Sequence, residues 1–488
     1  MMERRKNSRI LGIFLLLNLA VWSLIPLLRH SLPMDTMEAI VWGKYSWLGT
    51  TKHPPLSGIL AYPFYMLFGT YSVSMYILSQ LCVVLGIVYI YKLARLLVNE
   101  KTALIAALLQ FGVIYYQFSS VEFNVNVVSL ALWPAGAYYF WRAYTENRLR
   151  DWLLFGFCAA LNLLNKYVGA LQILSLAVFV VADKGVWRLL KNYKMYAAVI
   201  VFAALLAPHL YWMYEHNFEP LNYVASRSSG GKLTTVWRHL IYPAKFIGAQ
   251  ILFGAAAWLT YFGFSCRNKT AAISREHTKT LFIAITASLP IAVFAIISLV
   301  SGNALKSMWG FPCLYMLGIA LCYYWPLQWN EKQEKTLVRL MFVWSMLFAV
   351  GYAAQCLLTK SPRFTSDCPQ IVQMLTQKWQ QQLPNQPLKY AGGGEWFVNM
   401  INLYADDDIK PMLWLSPKNN PWLDQQDFEN SGALVINEDL GAYRRMGENY
   451  PLSEPQKITL EYHNYFGKTK KKDLFYGFYL PKENRDVR

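Results

Sequence analysis

Residues 10–28, ILGIFLLLNLAVWSLIPLL, carry no charged side chain. A run of this length spans the hydrocarbon layer of a membrane, which takes roughly 20 helical residues. Arg4, Arg5, Lys6 and Arg9 precede it. A basic start before an apolar run is also the pattern of a signal peptide. This run exceeds a typical signal core and has no small-residue cleavage site, so it reads as an uncleaved anchor. Further apolar stretches recur near 73–91, 102–118, 124–141, 152–165, 167–182, 195–213, 246–265, 281–301, 308–325 and 337–358. They predict a mainly α, polytopic membrane protein with about 11–13 spans. The composition agrees: 55% of the 488 residues are hydrophobic and only 15% are charged, well under the roughly 25% of soluble chains.

Charge orients the chain. With the amino terminus inside and the spans alternating, the inner segments hold 21 Lys/Arg and the outer segments before residue 361 hold 10. That asymmetry is the positive-inside bias, and an odd number of spans leaves the tail outside. The tail from Ser361 has 15 basic and 16 acidic residues, so the net +17 lies in the membrane part, with 31 basic and 13 acidic residues. Such a surplus suits anionic lipid head groups. It does not point to nucleic acid, because it sits in short inner loops as a topology signal. Of seven cysteines only Cys368 falls in the tail, and no spacing resembles a metal site.

The expected organisation is a membrane domain over 1–360 and a small soluble α/β domain over 361–488. In the tail, Ile371–Gln382 predicts a helix. Tyr390–Gly394 predicts a strand end, Pro411–Leu415 and Ala433–Ile436 predict short strands, and Asn419-Asn420-Pro421 marks a loop. The Lys468–Lys472 run reads as a solvated face. Two outer loops are long, at 29–72 and 215–245. Both are aromatic and amphipathic, as expected of segments lying along the interface, and long ordered loops are usually functional.

Before residue 361 the outer side has five acidic residues: Asp35, Glu38, Glu122, Glu215 and Glu219. A general base comes from this short list, from the tail or from a histidine. Asp35 and Glu38 share one face if helical; the bland alternative is that Asp35 caps its helix. Lys52 and His53 precede Pro54-Pro55. Lys166, beside Asn162, Asn165 and Tyr167, interrupts a pair of short apolar runs. An ionisable residue at membrane depth is functional by default, with snorkelling to the surface as the alternative. Arg227, Lys232 and Lys306 are further outer cations, for which plain head-group contact is the alternative. Few carboxylates with several cations suit a lipid-phosphate substrate: cations stabilise a phosphate leaving group and a carboxylate takes the proton of the attacking hydroxyl. A channel or carrier shares this composition.

On its motifs the sequence resembles the dolichyl-phosphate-mannose-protein mannosyltransferase superfamily, glycosyltransferase family 39 and its bacterial relatives, which include the lipid A aminoarabinose transferases and share the GT-C fold. The segments run in order: Pro33-Met34-Asp35-Thr36-Met37-Glu38-Ala39 after the first span, Lys52-His53-Pro54-Pro55-Leu56, Leu164-Asn165-Lys166-Tyr167, Pro208 to Phe218, and Lys306-Ser307-Met308-Trp309-Gly310-Phe311-Pro312. Gly394 to Tyr404 and Ser416–Asp424 resemble the outer domain of some bacterial members. No motif is specific alone; their order and outer placement are. The chain departs at Thr36, where relatives often have Glu, and at Glu122-Phe123-Asn124-Val125-Asn126, where they often have an Asp.

The resemblance implies a sugar transfer with inversion from a polyprenyl-phosphate donor to a lipid or glycan acceptor of the envelope, such as lipid A or lipopolysaccharide. It makes Asp35 the base or the group that orients the acceptor. Glu38, His53, Glu122, Tyr167 and His216 become acceptor- or sugar-binding candidates, and Lys166, Arg227 and Lys306 phosphate-binding candidates. The resemblance names no definite cofactor; a divalent metal held by His216 with Glu38 or Glu215 is a weak candidate. The site and the tail are then expected on the periplasmic face of a bacterial cytoplasmic membrane. Two alternatives stay open: a carrier or flippase for lipid-linked sugars, marked by inverted repeats and mid-membrane charges, and a protein O-glycosyltransferase of the same superfamily.

Overall fold

The computed structural model describes residues 2–69, 72–228, 235–266, 269–271 and 275–485. Packing groups the chain into two compact units. One comprises Met1–Leu24, Lys52–Leu56 and Tyr76–Gly351, and the other Ile25–Thr51, Ser57–Met75 and Tyr352–Arg488. The grouping differs from the division at 360 drawn from composition: most of the 29–72 loop packs in the same unit as the tail.

The first unit is helical. Among the described residues, five helices are long and apolar enough to cross a membrane, Arg5–Leu28, Val73–Leu97, Tyr193–Glu215, His277–Ser301 and Glu331–Leu358; a pair bent by 64°, Arg238–Phe253 and Ala255–Ser265, makes a sixth if it is one span. This is fewer than the apolar stretches predict, and broken helices account for part of the difference. The 102–118 stretch is helix only over Glu100–Leu108 and then passes through short 3-10 turns to Ser120. The 308–325 stretch is 3-10 over Ser307–Met316 before helix Leu317–Tyr324. The polar residues in these breaks explain why they persist in apolar surroundings. Gln117 accepts from Trp22 Nε1 at 2.8 Å and Ser345 Oγ at 2.9 Å and donates to Asn18 at 2.9 Å. Tyr115 Oη reaches Gln250 Oε1 at 2.9 Å and the Ser307 carbonyl at 2.8 Å. Backbone carbonyls freed by a broken helix need partners where water is absent, and Tyr115 serves that of Ser307 and Gln110 Nε2 that of Tyr315.

Elsewhere small residues let helices close. A Cβ on Gly156, in helix Leu149–Asn165, would lie 2.3 Å from the Ala198 carbonyl oxygen of helix Tyr193–Glu215. Close backbone approach of this kind drives helix association where burial in lipid gives no hydrophobic gain. Asn124 starts helix Val125–Glu146 by accepting from the Asn126 and Val127 amides at 2.9 and 3.3 Å.

The second unit is α/β. Strands β1 (Tyr390–Gly393), β2 (Lys410–Leu413), β3 (Ala433–Asn437), β4 (Gln456–His463) and β5 (Thr469–Tyr479) form one sheet in the order β2-β1-β3-β5-β4. β1 runs parallel to both β2 and β3, whereas β5 is antiparallel to β3 and β4. Helix Cys368–Gln382 is capped by Asp367. Helix Glu395–Tyr404 connects β1 to β2, and helix Gln425–Ser431 connects β2 to β3. Gly393 is obligatory where β1 meets β3: its φ is +131° and a Cβ there would lie 1.9 Å from the Ile436 carbonyl oxygen. The Lys468–Lys472 run, expected as a solvated face, is exposed and largely forms the start of β5. Lys471 pairs with Glu461 across the hairpin at 2.6 Å. The 29–72 loop folds into helices Met34–Tyr45 and Leu56–Phe68, and the first of these packs on helix Glu395–Tyr404.

Candidate functional site

In the helical unit, the ends of three helices meet at Lys166. Helix Leu149–Asn165 stops there, with Lys166 as its extended C-cap, and helix Gly169–Ala182 begins three residues on. The side chain is only 7% exposed, and its ammonium donates to Asn126 Oδ1 at 2.6 Å, at the start of helix Val125–Glu146. Asn165 fixes the same junction by donating to the Val125 carbonyl at 2.7 Å and to Ser129 Oγ at 2.9 Å. Asn162 donates to Gln172 at 2.8 Å. Lys166 therefore turns inward onto an amide oxygen instead of snorkelling outward. Burial of a cation is costly unless it is hydrogen-bonded, and the Asn126 amide oxygen is one acceptor for it.

The next residue starts an aromatic column. Tyr167 Oη lies 3.0 Å from His209 Nε2 and 3.1 Å from Met213 Sδ. The His209 ring is nearly parallel to Trp212, with centroids 6.0 Å apart, and Trp212 stacks on His216 at 4.2 Å. Helix Tyr193–Glu215 holds this order because 209, 212 and 216 recur at i, i+3 and i+7, one face of a helix. Nδ1 of His216 bonds the Trp212 carbonyl at 2.8 Å. Of the other candidates in this unit, His53 packs edge-on to Tyr223 with centroids 6.1 Å apart. Glu122 is half-buried just before the Asn124 cap. Lys306 is exposed at the start of the 3-10 run, and Glu215 is exposed at the end of its helix. Arg227 falls within helix Glu219–Ser228, but its side chain, like the whole of Lys232, lies outside the described residues.

In the α/β unit, Asp35 and Glu38 sit one turn apart on helix Met34–Tyr45, Asp35 half-buried and Glu38 5% exposed. Asp35 is not the N-cap, which is Pro33, but it lies in the first turn of the helix. The other end of the helix is anchored by Asp408, which accepts from Lys44 at 2.6 Å and from Tyr45 at 2.5 Å. Burial works to raise the Asp408 carboxyl, but the hydrogen bonds from Lys44 and Tyr45 and the Lys44 charge outweigh it and hold it below its usual value. Burial first, then the Asp408 hydrogen bond and charge, pushes the Tyr45 hydroxyl upward. Asn402, on helix Glu395–Tyr404, donates to Tyr45 Oη at 2.8 Å. Along that helix, Trp396 Nε1 and both amide atoms of Asn399 are buried without a hydrogen-bond partner. A buried polar atom left unpaired costs about 1–3 kcal/mol, so the helix packed on Met34–Tyr45 carries polar groups that the described residues do not satisfy.

The structure thus pairs Asp35 with Glu38 on one helix, and links Tyr167 to His216 through His209 and Trp212. Among the described residues no three His, Cys, Asp or Glu side chains are grouped to hold a metal ion, so Glu38, Glu215 and His216 gain no support as a ligand set.

Comparison with known proteins starts from this geometry. The family model described as dolichyl-phosphate-mannose-protein mannosyltransferase matches residues 52–212, the stretch that contains His53, Glu122, Lys166, Tyr167 and His209. No curated protein matches the chain. Among solved structures, ArnT from Cupriavidus metallidurans bound to undecaprenyl phosphate superposes with a TM-score of 0.65 at 14% identity, covering 96% of this chain and 98% of that one. The apo form of the same protein gives 0.63 at 12% identity, covering 96% and 97%. The fold is GT-C. The apo oligosaccharyltransferase of Archaeoglobus fulgidus, with a TM-score of 0.51 at 12% identity over 94% of this chain and 74% of that one, carries it too. The resemblance read from the motifs, and the polytopic helical fold with a carboxy-terminal α/β domain, therefore stand.

Within this GT-C chain the sequence reading missed His209. It is 2% exposed and bonded to Tyr167. The available signal was an ionisable residue inside an apolar run, seven residues before His216. It also missed Asn126, whose amide oxygen accepts from Lys166.

Proposed function

We propose that the chain is a membrane glycosyltransferase that transfers a sugar from a polyprenyl-phosphate donor, with inversion, to an envelope acceptor such as lipid A or lipopolysaccharide. The observation that carries this reading is the GT-C fold, shared over nearly the whole chain with an ArnT structure that holds undecaprenyl phosphate. The buried ammonium of Lys166 at a meeting of helix ends adds to it.

In one displacement, the acceptor hydroxyl oxygen attacks the anomeric carbon as the bond from that carbon to the phosphate oxygen breaks. The electron pair leaves with polyprenyl phosphate, whose added charge Lys166 stabilises, with Arg227 and Lys306 as further cations. Asp35 takes the hydroxyl proton, or orients the acceptor where the nucleophile is already a phosphate. Glu38, His53, Glu122, Tyr167 and His216 are the groups assigned to sugar and acceptor. Tyr167 is held for this by His209. The cytoplasmic membrane of a bacterium, with site and tail outside, is the location this chemistry fits.

The test uses purified protein in lipid with a panel of polyprenyl-phosphate sugars and candidate acceptors, wild type against Asp35→Asn, with products followed by mass spectrometry. Transfer by wild type that is lost in the folded mutant supports the reading and names both substrates. Donor movement across the bilayer without a glycosylated product would shift the assignment to a carrier. Equal transfer by both proteins removes Asp35 from the chemistry.

A further inference from the structure

The turn after β2 has an unusual backbone. Trp414 and Leu415 both take positive φ, +57° and +50°, which bulky L-residues adopt only when their surroundings impose it. Here the surroundings do. Leu415 is 3% exposed and occupies the space above Gly392, where a Cβ would lie 2.4 Å from its Cδ2. The Trp414 amide donates to the Gly393 carbonyl at 2.8 Å. Asn420 closes the turn by accepting from the Leu413 amide at 2.8 Å and donating to the Ser416 carbonyl at 2.7 Å. Seating Leu415 in the core turns Trp414 outward, and its side chain remains 42% exposed.

Trp414 lines a recess of about 650 Å³ with Ser416, Gln425, Glu429, Asn449 and Tyr450, a volume typical of small-molecule sites. Tyr450 is fixed from behind by edge-on packing on Phe428 at 5.6 Å and Tyr479 at 5.2 Å. Gln425 donates to Glu429 Oε1 at 2.8 Å, which orients both planar groups. The lining is therefore one strained, exposed indole, one braced phenol and several planar amide or carboxylate groups. Sugar rings match this set. Their C–H faces pack on aromatic rings, and their neighbouring hydroxyls pair with amides and carboxylates that offer two polar atoms each. An acyl chain offers no hydrogen-bonding group to this polar lining.

We propose that this recess is a carbohydrate-binding site of the α/β unit. Its binding stands on these residues alone. Its use, holding the glycan part of the acceptor, rests on the glycosyltransferase reading.

The full chain in nanodiscs, free of glycoside detergent, is titrated with trisaccharides of glucose, galactose, mannose and N-acetylglucosamine, one at a time, with glycerol as the polyol control. Binding is followed by saturation-transfer NMR and calorimetry. At least one trisaccharide should bind with a Kd of about 1 mM or tighter. Trp414→Asn, a residue that tolerates left-handed backbone, should weaken it at least tenfold, and Gln425→Ala should weaken it as well. Asp35→Asn should bind as wild type does, so failure of transfer and failure of binding are read separately. The proposal is overturned if no trisaccharide binds more tightly than glycerol, or if Trp414→Asn and Gln425→Ala both bind unchanged. Quenching of Trp414 by brominated lipid without sugar binding would overturn it in favour of a membrane-surface role.

Discussion

Replacing Lys166 by Met removes one positive charge while keeping most of the side-chain volume. The ammonium is 7% exposed and 2.6 Å from Asn126 Oδ1, so it acts in a medium poorer than water. At an effective dielectric constant of about 20, a unit charge 4 Å from another contributes about 4 kcal/mol. Part of this is lost because the bound phosphate is also desolvated, leaving about 2–4 kcal/mol, close to the roughly 10²- to 10³-fold lost on removing one donor from a site of developing charge. Polyprenyl phosphate alone reads the ground-state share. At a concentration 100 times the Kd a ligand stabilises its protein by about 2.7 kcal/mol, and a 100-fold weaker Kd at the same concentration cuts this to about 0.4 kcal/mol. The lipid should therefore protect wild type against thermal unfolding and barely protect Lys166→Met. Transfer, where measured, should fall at least 100-fold. Asn126→Ala controls for structure: it removes the amide partner, keeps the charge, and should retain most of the protection. Lys166→Met protected as strongly as wild type would refute the phosphate role, and equal losses in the two variants would make Lys166 a structural bolt between helices.

His209→Phe should keep the aromatic column but remove the Tyr167 partner; if the two act together on the sugar, His209→Phe and Tyr167→Phe each lower transfer about tenfold and the double variant lowers it no further, whereas additive losses separate them. Gly393→Ala places a Cβ on the Ile436 carbonyl at a φ of +131° and should destabilise the α/β unit by about 3 kcal/mol or more, measured as lost expression and a lower unfolding temperature. Asp408→Ala should cost about 1 kcal/mol or less, because the carboxylate is 58% exposed. The Asp408 carboxyl is held below its ordinary 3.8, so its contribution is present above that pH and disappears as pH falls through the depressed folded value. Thermal unfolding of wild type and Asp408→Ala should accordingly converge in acid and differ at pH 7.

What the sequence shows and what it hides follow the range of the contacts involved. Helix Cys368–Gln382, expected from Ile371 on, and strands β2 and β3, expected at Pro411–Leu415 and Ala433–Ile436, were legible because local pattern specifies them. Lys166 was conspicuous as one charge between two apolar helices, but only the fold shows it turned inward onto Asn126 instead of snorkelling. Helix Met34–Tyr45 was read instead as an interfacial loop. What anchors its end, Asn402 and Asp408 against Tyr45, lies more than 350 residues away, and nothing near Tyr45 announces it. The β4–β5 hairpin escaped for the opposite reason. Its strands are specified by charge pairs such as Glu461 with Lys471 and Lys457 with Asp473, and apolar alternation, the usual signal of a half-buried strand, is weak in Thr469-Lys470-Lys471-Lys472-Asp473. His209 combines both effects: it looks like one polar interruption in a span, and only its partner 42 residues earlier gives it meaning. In a membrane-embedded fold, where apolar residues are too common to discriminate, the isolated polar residue is the informative one, and its function is set by whichever distant polar group the fold brings to it.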